Sequence, residues 1–321
     1  MRVIVFAEEA AGARVLRTLN QRAEDVVAVV TTSGDTADAP FSVARVAESF
    51  GYRVIPAGTW PARDLVSLIE REEVEVLLNV HSLSVLPGAV VSAPRIGSFN
   101  LHPGALPGFA GLNAPSWAVY LGAGEHAVTL HWMLEGIDTG PIVFAESFPL
   151  TAQDTGFSVS AKCVTLGVPL VERLLDVATA SPDLIPREKQ QGERRFFKRS
   201  QVPNRGWIDW DMSAEKIDAF VRAADYGPFV SPWGAPRFLL NGETFSVLRT
   251  QVEGNLAGEC GRVIAVQEGD ALVAAADGTV RLKKLSVAGR IVDAGEVLSV
   301  GQSLKSASDA ATEDYSVSGE S

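Results

Sequence analysis

Apolar residues open this chain in short runs, with polar-faced stretches between them. Val3 to Ala7 is a continuous apolar run of strand length, the pattern of a strand buried on both faces. Ala10 to Leu19 has helical composition with Val15, Leu16 and Leu19 on one face, and Val26 to Thr31 is the next apolar run. Strand, helix, strand is βαβ grammar and implies a parallel sheet. The alternation continues with a helix over Phe41 to Tyr52, a short strand at Val54-Ile55, a helix over Ala62 to Glu72 and a strand at Val76 to Val80. Beyond the loop His81 to Pro87 come the strand Gly97 to His102 and a helix over Asn113 to Leu121, with Pro115 in its first turn. Strands Val128 to Trp132 and Pro141 to Phe148 flank a turn. Thr155 to Thr179 is a long helix whose inner stripe is Val159, Cys163, Leu166, Leu170, Leu174 and Val177, so Cys163 reads as core.

The periodicity stops at Ser181. Pro182, Pro186 and Pro203 with mixed charge mark a linker to Gly206, and its basic cluster Arg194 to Arg199 reads as solvated. Ile208 to Trp210 reads as a strand, and Ser213 caps a helix running to Ala224. From Phe238 short strands alternate with turns at Asn241-Gly242, Gly258, Gly269-Asp270, Asp277-Gly278 and Gly289, the pattern of a small β-barrel. Ser303 to Ser321 is small, polar and acidic and reads as a disordered tail. The expected organisation is α/β: a Rossmann-like parallel-sheet domain over 1–182, a linker over 183–206, a β-barrel domain over 207–302 and a tail over 303–321.

Composition narrows the function classes. With 321 residues, 46% hydrophobic and 21% charged, the chain is ordinary globular material and long enough for two domains. No stretch approaches the roughly 18 apolar residues of a membrane span. The first apolar run ends at Glu8-Glu9, without the longer apolar core of a signal peptide. Two distant cysteines, Cys163 and Cys260, imply neither a disulfide framework nor a thiolate zinc site. A cytoplasmic enzyme with no membrane partner and no metal is the plain reading. The turn Ala7 to Gly12 lacks G-x-G-x-x-G, and its acids would repel a pyrophosphate, so no dinucleotide site is expected. A net charge of −11 argues against a large phosphate-binding surface and hence against nucleic acid.

Two stretches carry candidate chemistry. In Ser98 to Pro107, Asn100 and His102 are two apart, so on a strand they share a face. Pro103 ends the ladder and leaves both at a carboxyl end, where open α/β sheets place ligands. Asp138 then lies just before a Thr139-Gly140 turn, an exposed loop position. Asn-x-His, a Pro-closed loop and Asp-Thr-Gly together resemble the folate-dependent formyltransferase family, whose core reads N-x-H-x-S-L-L-P and then D-[TA]-G. The loop Gly104-Ala105-Leu106-Pro107 departs from it at two of four letters. The resemblance spans most of residues 1–300 and implies that the barrel is open and OB-like.

The family moves a formyl group from 10-formyltetrahydrofolate to an amine. What the resemblance implies is an Asn100 amide and a His102 imidazolium as donors to the formyl oxygen, with Asp138 orienting His102 and accepting the amine's proton. Folate would be held by main chain at Ser84, Val85 and Leu86 and at Leu134, Glu135, Gly136, Ile137 and Asp138. His81, His126 and His131 show no trusted metal-ligand spacing, and His131 reads as facing one side of the sheet. Family members acting on methionyl-tRNA or nucleotide sugars usually carry Tyr-Arg-Gly after the loop, where this chain has Phe109-Ala110-Gly111. Asp35 to Pro40 also lacks the basic residues expected for an acceptor stem. Asp225 to Gly234, with Tyr226, Phe229 and Trp233, looks like the segment in formyltransferases of natural-product and siderophore pathways. The expected partner is therefore a small-molecule amine or a carrier-bound aminoacyl group in secondary metabolism. Phe109, Gly111, Tyr226, Phe229 and Trp233 are candidate substrate residues, and a homodimer is left open. The alternatives are a methionyl-tRNA or nucleotide-amino-sugar formyltransferase, a formyltetrahydrofolate hydrolase with water as acceptor, and a non-catalytic folate-binding module.

Overall fold

The computed structural model describes residues 1–32, 42–254 and 258–305. The chain divides into two units: Met1–Ala114, Glu125–Pro149 and Ser160–Phe197 form one, and Pro115–Gly124, Leu150–Val159 and Lys198–Ser321 the other. Phe41 and Asp35 to Pro40 lie outside the described residues, as does the tail from Ser306.

Along the chain run β1 (Arg2–Ala7), α1 (Glu9–Gln21), β2 (Asp25–Thr31), α2 (Val43–Ser49), β3 (Val54–Pro56) and α3 (Ala62–Arg71). They are followed by β4 (Val76–Val80), α4 (Gly88–Ser92), β5 (Gly97–His102), β6 (Ala110–Gly111) and α5 (Ala114–Tyr120). Next come β7 (Glu125–Trp132), β8 (Ile142–Pro149), α6 (Gly156–Ala180) and β9 (Phe196–Phe197). The first unit is built on a seven-stranded sheet of order β3-β2-β1-β4-β5-β7-β8. The first five of these strands are parallel, as the βαβ pattern implies. β7 and β8 are antiparallel to their neighbours, because the short Asp138 turn joining them admits no parallel crossover. One face buries Ile4, Phe6, Val30, Ile55 and Leu77 against Leu65, Leu68 and Ile69 of α3. That i, i+3, i+4 spacing forms a single helical stripe, worth about 1.5–3 kcal/mol per buried side chain.

Residues 183–197, read as linker, pack as part of the first unit. Ile142 and Glu188 exchange backbone hydrogen bonds of 2.8 and 2.9 Å, and the Trp132 indole donates to the Pro186 carbonyl at 2.8 Å. β9 runs parallel beside β6. The segment lacks periodicity because it is attached through backbone bonds and single side chains, with Ile185 its one buried apolar anchor before Phe196, and not through a repeating apolar face.

The second unit carries α7 (Ala214–Ala224), whose cap Ser213 accepts from the Lys216 N–H at 3.1 Å. It also holds β10 (Arg237–Leu240), β11 (Glu243–Glu253), β12 (Val263–Gln267), β13 (Asp270–Ala274), β14 (Thr279–Val287), β15 (Arg290–Asp293) and α8 (Ala294–Val297). The antiparallel sheet order is β10-β11-β14-β13-β12, with β15 on β14. Ile208 and Trp210, expected on a strand, form no ladder; both side chains are fully buried in this unit's core. The tail begins later than Ser303: Leu304 is buried in the same core, and the Leu304 and Lys305 N–H groups donate to Gly261 and Leu239. One apolar residue in a polar stretch is enough to hold those three residues. Among the described residues no helix is long and apolar enough to cross a membrane, and no three ligand-type side chains are grouped to hold a metal.

Candidate active site

β5 carries Asn100 and His102 on one face, as period two requires. β7 runs back alongside it, and its register sets His131 opposite Asn100 and Thr129 opposite His102. The turn after β7 then folds Asp138 onto both, buried and in the left-handed region at φ 52. A non-glycine residue there is strained and is held by its surroundings. The Asn100 amide nitrogen lies 3.2 Å from Asp138 Oδ1 and 3.0 Å from His131 Nε2. His131 Nδ1 donates to the Trp132 carbonyl at 2.8 Å, and its Nε2 also faces Asp138 Oδ1 at 3.4 Å. His102 Nε2 donates to the Phe109 carbonyl at 2.7 Å, and its Nδ1 faces Asp138 Oδ2 at 3.6 Å.

Two glycines make this geometry feasible. A Cβ on Gly104 would sit 2.5 Å from His102 Nε2 and 2.6 Å from the Phe109 oxygen, inside the bond between them. The departure from the family's serine therefore leaves room for the bond that fixes His102. Gly111 has φ 89, and a Cβ there would run into the Phe197 carbonyl oxygen. Its N–H donates to Asp138 Oδ2 at 2.8 Å. From the segment read as linker, Gln190 Nε2 donates to the Asp138 and Gly140 carbonyls at 2.9 and 2.8 Å, and Arg194 to that of Ile137 at 2.8 Å.

The electrostatics separate the two central groups. Burial raises the Asp138 carboxyl, but the His102 and His131 imidazoles and the Gly111 N–H outweigh it and hold it well below the usual carboxylate range. Burial lowers His102 against the opposing pull of Asp138 and the Phe109 carbonyl, and the net direction is downward. The two buried groups thus act on each other across 3.6 Å. Below it, burial pushes the His126 imidazole down to about 4; its Nε2 donates to the Pro103 carbonyl at 3.1 Å.

The other candidate residues divide. Leu134, Glu135, Gly136 and Ile137 form an exposed rim beside buried Asp138. Val85 is 73% exposed and Ile137 46%, so apolar side chains of both expected folate loops face outward; Leu86 packs inward against the sheet core, and Ser84 is half-buried. The Phe109 ring meets His126 edge-on with centroids 5.1 Å apart. Tyr226, Phe229 and Trp233 belong to the second unit. There Tyr226 hydrogen-bonds Ser116 at 3.0 Å, Phe229 meets Phe157, and Trp233 is buried among Trp117, Tyr120 and Phe220. Sequence reasoning missed His131 and Gln190. The first required the antiparallel register of β5 and β7, and the second lies in a stretch without pattern.

The comparisons follow this division. Residues 1–173 match the formyl transferase family model and residues 202–300 the formyl transferase C-terminal domain model. Methionyl-tRNA formyltransferase of Pseudomonas fluorescens is 28% identical over 295 residues, 90% of each chain. That of Geobacter metallireducens is 26% identical over 283 residues, 86% of this chain and 87% of its own. Among solved structures, an N-formyltransferase from Helicobacter canadensis in complex with folinic acid and dTDP-3-aminofucose superposes with a TM-score of 0.68 at 17% identity, over 89% of this chain and 99% of that one. HypX from Aquifex aeolicus in complex with tetrahydrofolic acid gives 0.61 at 19% identity, over 93% of this chain and 47% of its own.

Proposed function

Since the chain belongs to the formyl transferase family, we propose that it moves the formyl group of 10-formyltetrahydrofolate to a primary amine or hydroxylamine nitrogen of a small amino-acid-like acceptor, free or carrier-bound. The observation that carries this reading is the convergence of Asn100, His102 and Asp138 at the end of β5. The exposed apolar side chains of Leu83, Val85, Leu134 and Ile137 fit the flat, largely apolar body of a folate. Two relatives in the fold were solved with folinic or tetrahydrofolic acid. When bound, the folate supplies an activated formyl carbon.

The chain's own groups account for the rest. An incoming ammonium must lose a proton before its nitrogen can attack. The His102 Nδ1 lone pair and the Asp138 carboxylate, 3.6 Å apart, can share that proton, and the carboxylate stabilises the imidazolium that forms. The Phe109 carbonyl holds the opposite ring N–H, which fixes the tautomer. Asn100 donates to Asp138 through its longer bond, 3.2 Å; exchanging that bond for the formyl oxygen stabilises the charge developing there. The nitrogen loses a second proton once it has added to the formyl carbon; as the bond from that carbon to the folate nitrogen breaks, one of the two protons goes to that nitrogen and the other to solvent.

A small acceptor is supported by charge. The net charge is −11 and Ala110 stands where the family's phosphate-handling members carry arginine. A tRNA acceptor stem needs several phosphate contacts. Methionyl-tRNA is the second reading, favoured by curated relatives that match about nine-tenths of the chain. The test is an initial-rate screen at low salt of amino acids, hydroxylamines, amino sugars, carrier-bound aminoacyl groups and initiator methionyl-tRNA, scored by folate release and formylated product. Preference for a small amine supports the proposal. Faster formylation of the tRNA replaces it with the second reading, and folate release without any formylated amine makes water the acceptor.

A further inference from the structure

Residues 187–195 are exposed with one exception, Gln190, which is half-buried. The segment around it is fixed at both ends. At the first end the Trp132 indole donates to the Pro186 carbonyl at 2.8 Å, and the Arg187 guanidinium lies 3.5 Å from the centroid of the Trp132 ring. Ile142 and Glu188 exchange their two backbone bonds there. At the other end the Arg195 N–H donates to the Pro107 carbonyl at 3.2 Å, and the Arg195 and Phe197 carbonyls accept from Ala110 and Leu112 at 3.0 and 2.9 Å. The first anchor is the β7–β8 region that carries Asp138. The second is the loop whose Phe109 carbonyl holds His102 and whose Gly111 N–H holds Asp138. Residues 186–197 therefore tie together the two pieces of chain that must meet for His102 Nδ1 to face Asp138 Oδ2.

Between the anchors, the Gln190 amide nitrogen donates to the Asp138 carbonyl at 2.9 Å and to the Gly140 carbonyl at 2.8 Å. An amide nitrogen has two N–H donors, so both are used, one on either side of Thr139. Asp138 between them sits at φ 52, a conformation that its surroundings must hold. The start of the turn has its own support: the Met133 N–H donates to the Ser98 carbonyl at 2.8 Å and the Thr139 hydroxyl to the Gly136 carbonyl at 2.9 Å. The type of side chain also matters. An amide donates twice without bringing a charge. A lysine there would set a cation near the Asp138 carboxylate in competition with His102, and a glutamate would turn acceptors toward two carbonyls.

We infer that Gln190 is a positioning residue for the reaction: by holding the main chain on both sides of Thr139, it keeps the Asp138 carboxylate facing His102 while the acceptor's proton is taken. The inference rests on the formyl-transfer reading above.

The test replaces Gln190 in the full chain with methionine, which keeps much the same length and shape and has no donor. Gln190→Met should lower kcat about 10- to 100-fold, the scale for two neutral hydrogen bonds and a displaced catalytic group, and leave folate affinity nearly unchanged. A second readout needs no turnover. The chain has four histidines, and His102→Asn identifies the His102 ring signal in NMR. The groups acting on His102 are Asp138, the Phe109 carbonyl, His131 and His81, and His126 feels His102 in turn; Asp138 is the one anion among them. Moving it away removes the charge that favours the protonated ring, so the His102 titration should shift to lower pH in Gln190→Met. A residue that only fastens the segment would lower the urea midpoint and leave kcat and the His102 titration where they are; that result overturns the inference. If Gln190→Met does not fold, Gln190→Asn, one methylene shorter, is judged on the same two readouts. If the native protein formylates no amine, the transfer reading falls, and the His102 titration alone decides whether Gln190 holds Asp138.

Discussion

Gly111→Ala tests how the site is held, because it alters no side chain that performs chemistry. Gly111 sits at φ 89, and an added Cβ would collide with the Phe197 carbonyl and lie 3.0 Å from the Phe197 nitrogen. Left-handed backbone costs an L-residue about 1–2 kcal/mol. Relieving the collision means parting β6 from β9, whose bonds are Ala110 N–H to Arg195 O at 3.0 Å and Leu112 N–H to Phe197 O at 2.9 Å. Each is worth about 0.5–1.5 kcal/mol, so the loss should total about 2–5 kcal/mol. Gly122→Ala is the control: φ is 67, but nothing lies within 4 Å of the added Cβ, so only the backbone term of about 1–2 kcal/mol remains. Urea unfolding measures the difference between the two variants. Formyl transfer reports the second consequence, because the Gly111 N–H bond to Asp138 Oδ2, 2.8 Å in the native protein, would lengthen. Losing a donor to the charged form raises the Asp138 pKa, so the acid limb of the rate profile should move to higher pH. If Gly111→Ala and Gly122→Ala match in stability, rate and pH profile, the clamp on Asp138 does not exist.

Three further outcomes are expected. Asn100→Ala, His102→Ala and Asp138→Ala should each cost on the order of 10²–10³ in rate, with little change in folate affinity measured by titration, and the losses should be far from additive because the groups act as a unit; normal turnover by His102→Ala refutes the proposed proton path. Burial lowers the His126 imidazole from 6.5 to about 4, so the unfolded chain binds the extra proton between those values and stability falls as pH drops through that window; about 2 kcal/mol should be lost from pH 7.5 to 5, and His126→Leu should remove that slope in paired urea titrations. Ending the chain after Gln302 instead of after Lys305 removes buried Leu304 from the barrel core and should lower stability by about 1.5–3 kcal/mol, read as a shift in the denaturation midpoint.

The parallel half of the sheet was legible because each apolar run is buried on both faces and each helix carries one stripe. Asn100 and His102 were legible for a similar reason, since period two places them together whatever surrounds them. Asp138 was expected beside them from the family motif, but their other partners were not. His131 reaches Asn100 only because β7 pairs antiparallel at one register, a long-range fact that no local spacing encodes. Phe109 and Gly111, candidate substrate residues, also hold the triad through a main-chain carbonyl and an N–H, groups that no side-chain pattern reveals. β6 and β9, two residues each, are too short to show a period.

The stretch that steadies Asp138 has a consequence for how this chain can be cut and recombined. Pro186, Glu188, Gln190 and Arg194 all bond to the β7–β8 region, yet they fall in the gap between the two family matches, 1–173 and 202–300. A hybrid enzyme spliced at the family boundary would inherit every residue that resembles a catalyst and a foreign strap to hold one of them. A splice after Phe197 keeps the strap with the carboxylate it steadies, but the second unit also draws on Pro115–Gly124 and Leu150–Val159, so those two segments must be exchanged together with it.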